Sequence, residues 1–159
     1  MPYRNICVAV ALQRYLDFTP VAVRQQALAL ILAREHDAKV RLLSVDAPVA
    51  LLPEVESTDD KLERYAEPFR EAGVDVFTSR REGRPSREII RFVEEVGADL
   101  LIMGSHSKRG PLDVGLGSTA IALPVDFDVP VLLVRPTQAE QERTGELMIP
   151  RYPFIFPYG

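Results

Sequence analysis

The sequence predicts a doubly wound α/β domain: one five-stranded parallel sheet, strand order 3-2-1-4-5, with helices on both faces. Three observations carry that prediction. Apolar runs rich in Val, Ile and Leu recur at residues 5–11, 39–45, 99–103 and 129–134, and a more polar, alternating run lies at 74–80. The apolar runs are typical of parallel strands covered on both sides, and the alternating one of a strand at the sheet edge. Segments with helical spacing and recognisable starts and stops lie between them. Strict alternation of strand and helix then requires right-handed crossovers, and therefore parallel pairing.

The first strand, 5–11, is NICVAVA. After an interruption at 12–16, Asp17-Phe18-Thr19-Pro20 offers a helix start, with Thr19 as cap and Pro20 in the first helical position. The helix at 21–35 places Leu28, Ile31 and Leu32 at helical spacing and assigns Arg24, Gln25 and Arg34 to its wet face. The second strand, 39–45, ends at Asp46-Ala47-Pro48. Ser57 to Asp60 supply caps and first-turn carboxylates for a second helix through Leu62, Tyr65, Ala66 and Phe69, which Pro68 should kink or shorten and Gly73 should stop. A third helix opens at Arg84-Pro85-Ser86 and closes at Gly97. A last helical pattern opens near Leu116, ahead of the fifth strand. Residues 1–136 form the expected domain. Residues 137–159 form a separate arm, polar and acidic at first, then extended and rich in proline and aromatic residues, suited to cover a partner subunit or the sheet edge.

Size and composition narrow the function. The 159 residues suit one domain, and 47% hydrophobic with 26% charged residues is ordinary for a globular protein. A net charge of −4 argues against nucleic-acid binding, the apolar runs are too short to span a membrane, and the N-terminus lacks the pattern of a signal sequence. A cytoplasmic protein is expected. Cys7 is the sole cysteine and sits in an apolar run, so it reads as a buried thiol.

The stretch 100–136 carries the functional signal. An apolar strand empties into Gly104-Ser105-His106-Ser107-Lys108-Arg109-Gly110, and Gly115-Leu116-Gly117-Ser118 opens the next helix. Glycines admit close backbone approach, and N–H groups at a helix start attract anions, so this order suits a phosphate cradle. In a doubly wound sheet the ligand crevice lies where the strand order reverses, between the first and fourth strands, and this loop leaves the fourth.

The spacing of Gly104, Ser107, Gly117 and Ser118 resembles the universal stress protein family, whose phosphate pattern is glycine, two residues, glycine, nine residues, glycine, then serine or threonine. The similarity also covers Asp17 to Pro20 with the following helix, Gly83-x-Pro85, residues 97–106 and VPVLLVRP at 129–136. It implies a Rossmann-like domain that binds ATP or AMP, with any Mg²⁺ arriving on the phosphates, or a nucleotide-free regulatory module of the same family. In the binding branch an acid after the first strand meets adenine, which implicates Val10, Ala11 and Asp17. Val45 lines the base pocket. Met103, Gly104, His106, Ser107, Lys108 and Arg109, together with Gly117, Ser118 and Thr119, take the ribose and phosphates. Two positions depart from the pattern. Ala11 stands where the acid is expected, with Asp17 displaced by the insertion 12–16, and Ser107 replaces a glycine. A serine held at positive φ costs about 1 to 2 kcal/mol, close to a tenfold loss of affinity.

The resemblance also implies a homodimer through the last strand, Val129, Val131, Leu132, Leu133 and Val134; the arm, which lies outside the resemblance, then has a place to lie across the partner. Other chemistries lack support. Gly115-x-Gly117-x-x-Ala120 does not directly follow a strand, as a dinucleotide fingerprint must. Ser105, His106 and Asp113 lack a nucleophile elbow. The distant His36 and His106 make no metal cluster. Arg80, Arg81, Arg84 and Arg87 read as a solvated face paired with Glu82 and Glu88. With no nucleophile or general base in a nameable position, catalysis beyond incidental ATP hydrolysis is not expected.

Overall fold

The computed structural model describes residues 2–46, 56–105 and 123–148. Five strands, β1 (Asn5–Ala9), β2 (Lys39–Asp46), β3 (Val76–Glu82), β4 (Leu100–Gly104) and β5 (Val131–Val134), form one parallel sheet in the order β3-β2-β1-β4-β5. Helices α1 (Pro20–His36), α2 (Thr58–Glu71) and α3 (Pro85–Val96) connect them, and α4 (Gln138–Leu147) follows β5. The helical pattern expected near Leu116 lies outside the described residues. Among the described residues no helix is long and apolar enough to cross a membrane.

Strand alternation divides the core in two. Ile6, Val8 and Leu42 point to the side of α1 and α2, where Tyr65 and Phe69 are fully buried. Cys7, Ala9, Leu43, Leu101 and Met103 point to the other side, against Ile89, Phe92 and Val93 of α3. Burial pushes the Cys7 thiol up to about 12, as expected for an inert core cysteine.

The helix punctuation follows local chemistry. Thr19 accepts from Ala22 N at 3.1 Å and Ser57 from Asp60 N at 3.1 Å, each satisfying an otherwise unpaired donor. Gly97 ends α3 at φ +67°, a conformation that glycine adopts without strain. α2 continues through Pro68 to Glu71.

Several strand edges differ from expectation for identifiable reasons. β3 begins at Val76 because Val74 N closes the end of α2 on Phe69 O at 2.9 Å. It then runs on to pair Arg81 and Glu82 with Val45 and Asp46. β4 begins after Asp99, whose carboxylate accepts from Arg4 N at 2.8 Å and Asn5 N at 3.1 Å. β5 begins after Pro130, which has no N–H and contributes only its carbonyl, to Leu101 N at 2.9 Å.

Gln25 corrects the assignment to the wet face. It falls four residues from both Val21 and Ala29 on the inner stripe of α1 and is buried with them. The sequence reading assigned no element to 137–145, where the structure has α4. Thr137 and Glu140 form a reciprocal capping box at its start. Arg24 of α1 pairs with Glu140 and also donates to Arg135 O at 2.9 Å, so α4 is docked on α1. The Thr137 backbone N–H and the Arg24 guanidinium hold the Glu140 carboxyl below its ordinary range.

Candidate functional site at the sheet switch point

β1 lies between β2 and β4, so connections leave their carboxyl ends in opposite directions and open a crevice there. Gln25 braces the base of this crevice. Its amide Nε2 reaches Ala9 O at 2.9 Å and Ile102 O at 3.4 Å, spanning β1 and β4 from the α1 side. Gly104 ends β4 directly beneath α1. A Cβ at this position would lie 2.5 Å from Val21 Cγ1 and 2.7 Å from Gln25 Oε1. Helix packing by itself therefore demands a glycine there.

The structure separates the expected site residues. Ala11 and Val45 are half-buried and pack against the core cluster on the α3 side of the sheet, to which the fully buried Met103 belongs. They form an apolar ledge at the carboxyl ends of β1 and β2. Val10 is buried among the residues of the opposite side, and its N–H donates to Leu43 O at 2.9 Å. Asp17 lies at the surface, its side chain 63% exposed. Its Oδ1 accepts from Phe18 N at 2.8 Å and from Arg64 Nη1 at 3.2 Å. Arg64 also holds Glu56 through contacts of 3.1 and 2.8 Å and covers the Phe18 ring at 4.2 Å. Asp17 is thus part of an ion-pair network on α2. His106, Ser107, Lys108, Arg109, Gly117, Ser118 and Thr119 lie outside the described residues.

The insertion 12–16 folds inward on the α1 and α2 side. Leu12 and Tyr15 are buried, and Arg14 turns the chain at φ +72°. The buried Lys61 of α2 donates from Nζ to Leu12 O at 3.0 Å and to Tyr15 O at 2.8 Å. The insertion then pairs with the end of α4: Leu16 N donates to Leu147 O at 2.8 Å, and Tyr15 bridges antiparallel to Met148.

A model of the universal stress protein family matches residues 2–135. The chain belongs to that family. A universal stress protein of Methanocaldococcus jannaschii is 29% identical over 137 residues, covering 78% of this chain and 81% of the relative. Two solved structures share the fold. One is the universal stress protein from Archaeoglobus fulgidus in complex with dAMP, with TM-score 0.60 and 22% identity, over 84% of this chain and 99% of that one. The other is a family protein from Arabidopsis thaliana with AMP bound, with TM-score 0.58 and 21% identity, over 86% of this chain and 94% of that one.

In this universal stress protein two buried polar side chains, Gln25 and Lys61, escaped the sequence reading. Helical spacing carried the signal for both. Lys61 stands four residues before Tyr65 and eight before Phe69, on the buried stripe of α2. Their polarity marks backbone carbonyls that need partners inside the core. Asp46 is a further buried polar group, a carboxylate accepting from Thr58 Oγ1 at 3.0 Å with Arg80 at 3.5 Å. The Arg80 and Arg81 face is paired with Asp46, Asp59 and Glu82, and with Glu88 and Glu95, respectively.

Proposed function

We propose that this universal stress protein binds an adenine nucleotide at the carboxyl ends of β1, β2 and β4, and acts as a regulatory module rather than an enzyme. The observation that carries the reading is the ledge of Ala11 and Val45 on the apolar cluster that contains Met103. These apolar side chains fit the face of an adenine ring. The acid partner of the base does not fit as well, because the Asp17 carboxylate is engaged with Arg64. Family members with dAMP and AMP bound add support by likeness of fold. Phosphates would be received by the glycine stretch that leaves Gly104.

Titration calorimetry with ATP, ADP and AMP tests this reading. Saturable binding with a Kd below about 1 mM is expected. Val45→Asp, at a half-buried position, should weaken it about tenfold or more by placing an unpaired charge against the base. No heat at millimolar nucleotide overturns the proposal.

The same titration decides a second reading, a nucleotide-free interaction module. Its specific support is the inward-folded insertion, tied down by Lys61, together with the diversion of Asp17.

We further propose that two copies pair through β5. This strand is the sheet edge, and no described strand covers its outer side. Pro130 O and Val134 O are bonded toward β4, so Val131 and Leu133 turn their backbone groups to the open edge. Leu133→Pro removes one outward N–H and should raise the dimer dissociation constant about tenfold or more in sedimentation equilibrium. An unchanged constant places the interface elsewhere.

A further inference from the structure

The outer face of α1 carries an exposed apolar stripe, with Arg24, Arg34 and Glu35 as its charged neighbours. Val23, Ala27 and Ile31 follow one another at four-residue spacing on that face, with Val23 48% and Ile31 63% exposed. α2 packs on the same side of the sheet and turns Asp59, Asp60, Glu63, Arg64, Glu67 and Arg70 outward. An exposed apolar stripe of this kind calls for a covering element that the charged outer face of α2 does not need.

The described chain ends beside the segment that leads into α1. Leu16, four residues before α1 and 54% exposed, is next to Met148, 46% exposed, through the pairing of 15–16 with 147–148. The residues that follow, 149–159, contain no Asp or Glu, and Ile149, Tyr152, Ile155 and Tyr158 recur at every third position among Pro150, Pro153 and Pro157. A three-residue period puts those four on one face of a polyproline-type strand, which at 3.1 Å per residue would reach about 34 Å. At 1.5 Å per residue α1 is about 25 Å long. Reach, point of departure and apolar periodicity agree.

We propose that residues 149–159 lie along the outer face of α1 of their own chain and cover Val23, Ala27 and Ile31. The arm then belongs to a unit with α1, α4 and the insertion. It does not reach across a β5 interface, and the proposal is independent of whether nucleotide binds.

A nitroxide on Tyr158→Cys tests the placement in the full chain. The buried Cys7, with its thiol pushed up to about 12, leaves the introduced cysteine as the reactive site. The α1 amides at Ala27 and Ile31 should lose most of their NMR intensity, and adding Ile31→Asp should restore it. In the otherwise native protein Ile31→Asp should speed chymotrypsin cleavage after Phe154, between Phe154 and Ile155, about tenfold. Broadening on β5 in place of α1, broadening only between labelled and unlabelled copies in a mixture, or an unchanged cleavage rate overturns the proposal.

Discussion

Gly104→Ala lowers the melting temperature of the ligand-free protein by about 4 to 8 °C, corresponding to about 2 kcal/mol for a chain of this length. The added methyl would meet Val21 Cγ1 at 2.5 Å and Gln25 Oε1 at 2.7 Å, both closer than real Cβ contacts allow. Val21 is β-branched and buried, so it has little rotamer freedom with which to give way. Gln25 is held by Ala9 O and Ile102 O and cannot withdraw without leaving carbonyls unpaired. α1 must therefore lift from β4. Combining Gly104→Ala with Val21→Ala should recover part of the loss, because neighbours that share one space are not additive. A thermal scan in which Gly104→Ala melts with the wild type would refute the close seating of α1. The measurement needs no nucleotide, and that separates the packing role of this glycine from any role in phosphate approach.

Lys61→Met costs about 2 to 3 kcal/mol and loosens the C-terminal helix before the sheet. Methionine fills much of the same volume, so the loss is that of two charge-assisted hydrogen bonds, to Leu12 O at 3.0 Å and Tyr15 O at 2.8 Å. Replacing a buried charge by an apolar group is often harmless when its partners are replaced too. Here the two carbonyls remain, inside the protein and without the ammonium. The insertion 12–16 carries Leu16, which holds Leu147, and Tyr15, which bridges to Met148. Its release should therefore speed hydrogen exchange in α4 about tenfold or more while β1 and β4 stay protected. Equal protection of α4 in both proteins would mean that Arg24 and Glu140 suffice to hold it.

The sequence by itself determined the sheet. Four of the five strands follow from runs of Val, Ile and Leu, because a parallel strand covered on both sides can be built from little else, and the edge strand β3 follows from its alternation; the helices between them follow from amphipathic segments with recognisable starts and stops. Caps were legible for the same local reason: Thr19, Ser57 and Gly97 act on backbone groups within a few residues. Strand limits were less legible, since they depend on what a neighbouring residue does. Val74 serves α2, Asp99 serves the start of β1, and Pro130 has no N–H to give.

α4 escaped because its sequence is polar, and its place comes from a capping box and from an ion pair with Arg24, over a hundred residues earlier. At the candidate site the glycine at 104 was legible and its packing role was not. Spacing marked it for a ligand, and the tertiary structure adds a helix to accommodate. The side of the sheet on which each residue falls was also decided in three dimensions. Ala11 and Val45 share a face with Met103, Val10 takes the other, and Asp17 is drawn to Arg64. Periodicity reports which residues share a face of one element. Only packing decides which faces meet, and there two of the buried polar side chains act: Gln25 braces β1 against β4, and Lys61 ties down the insertion that leaves β1.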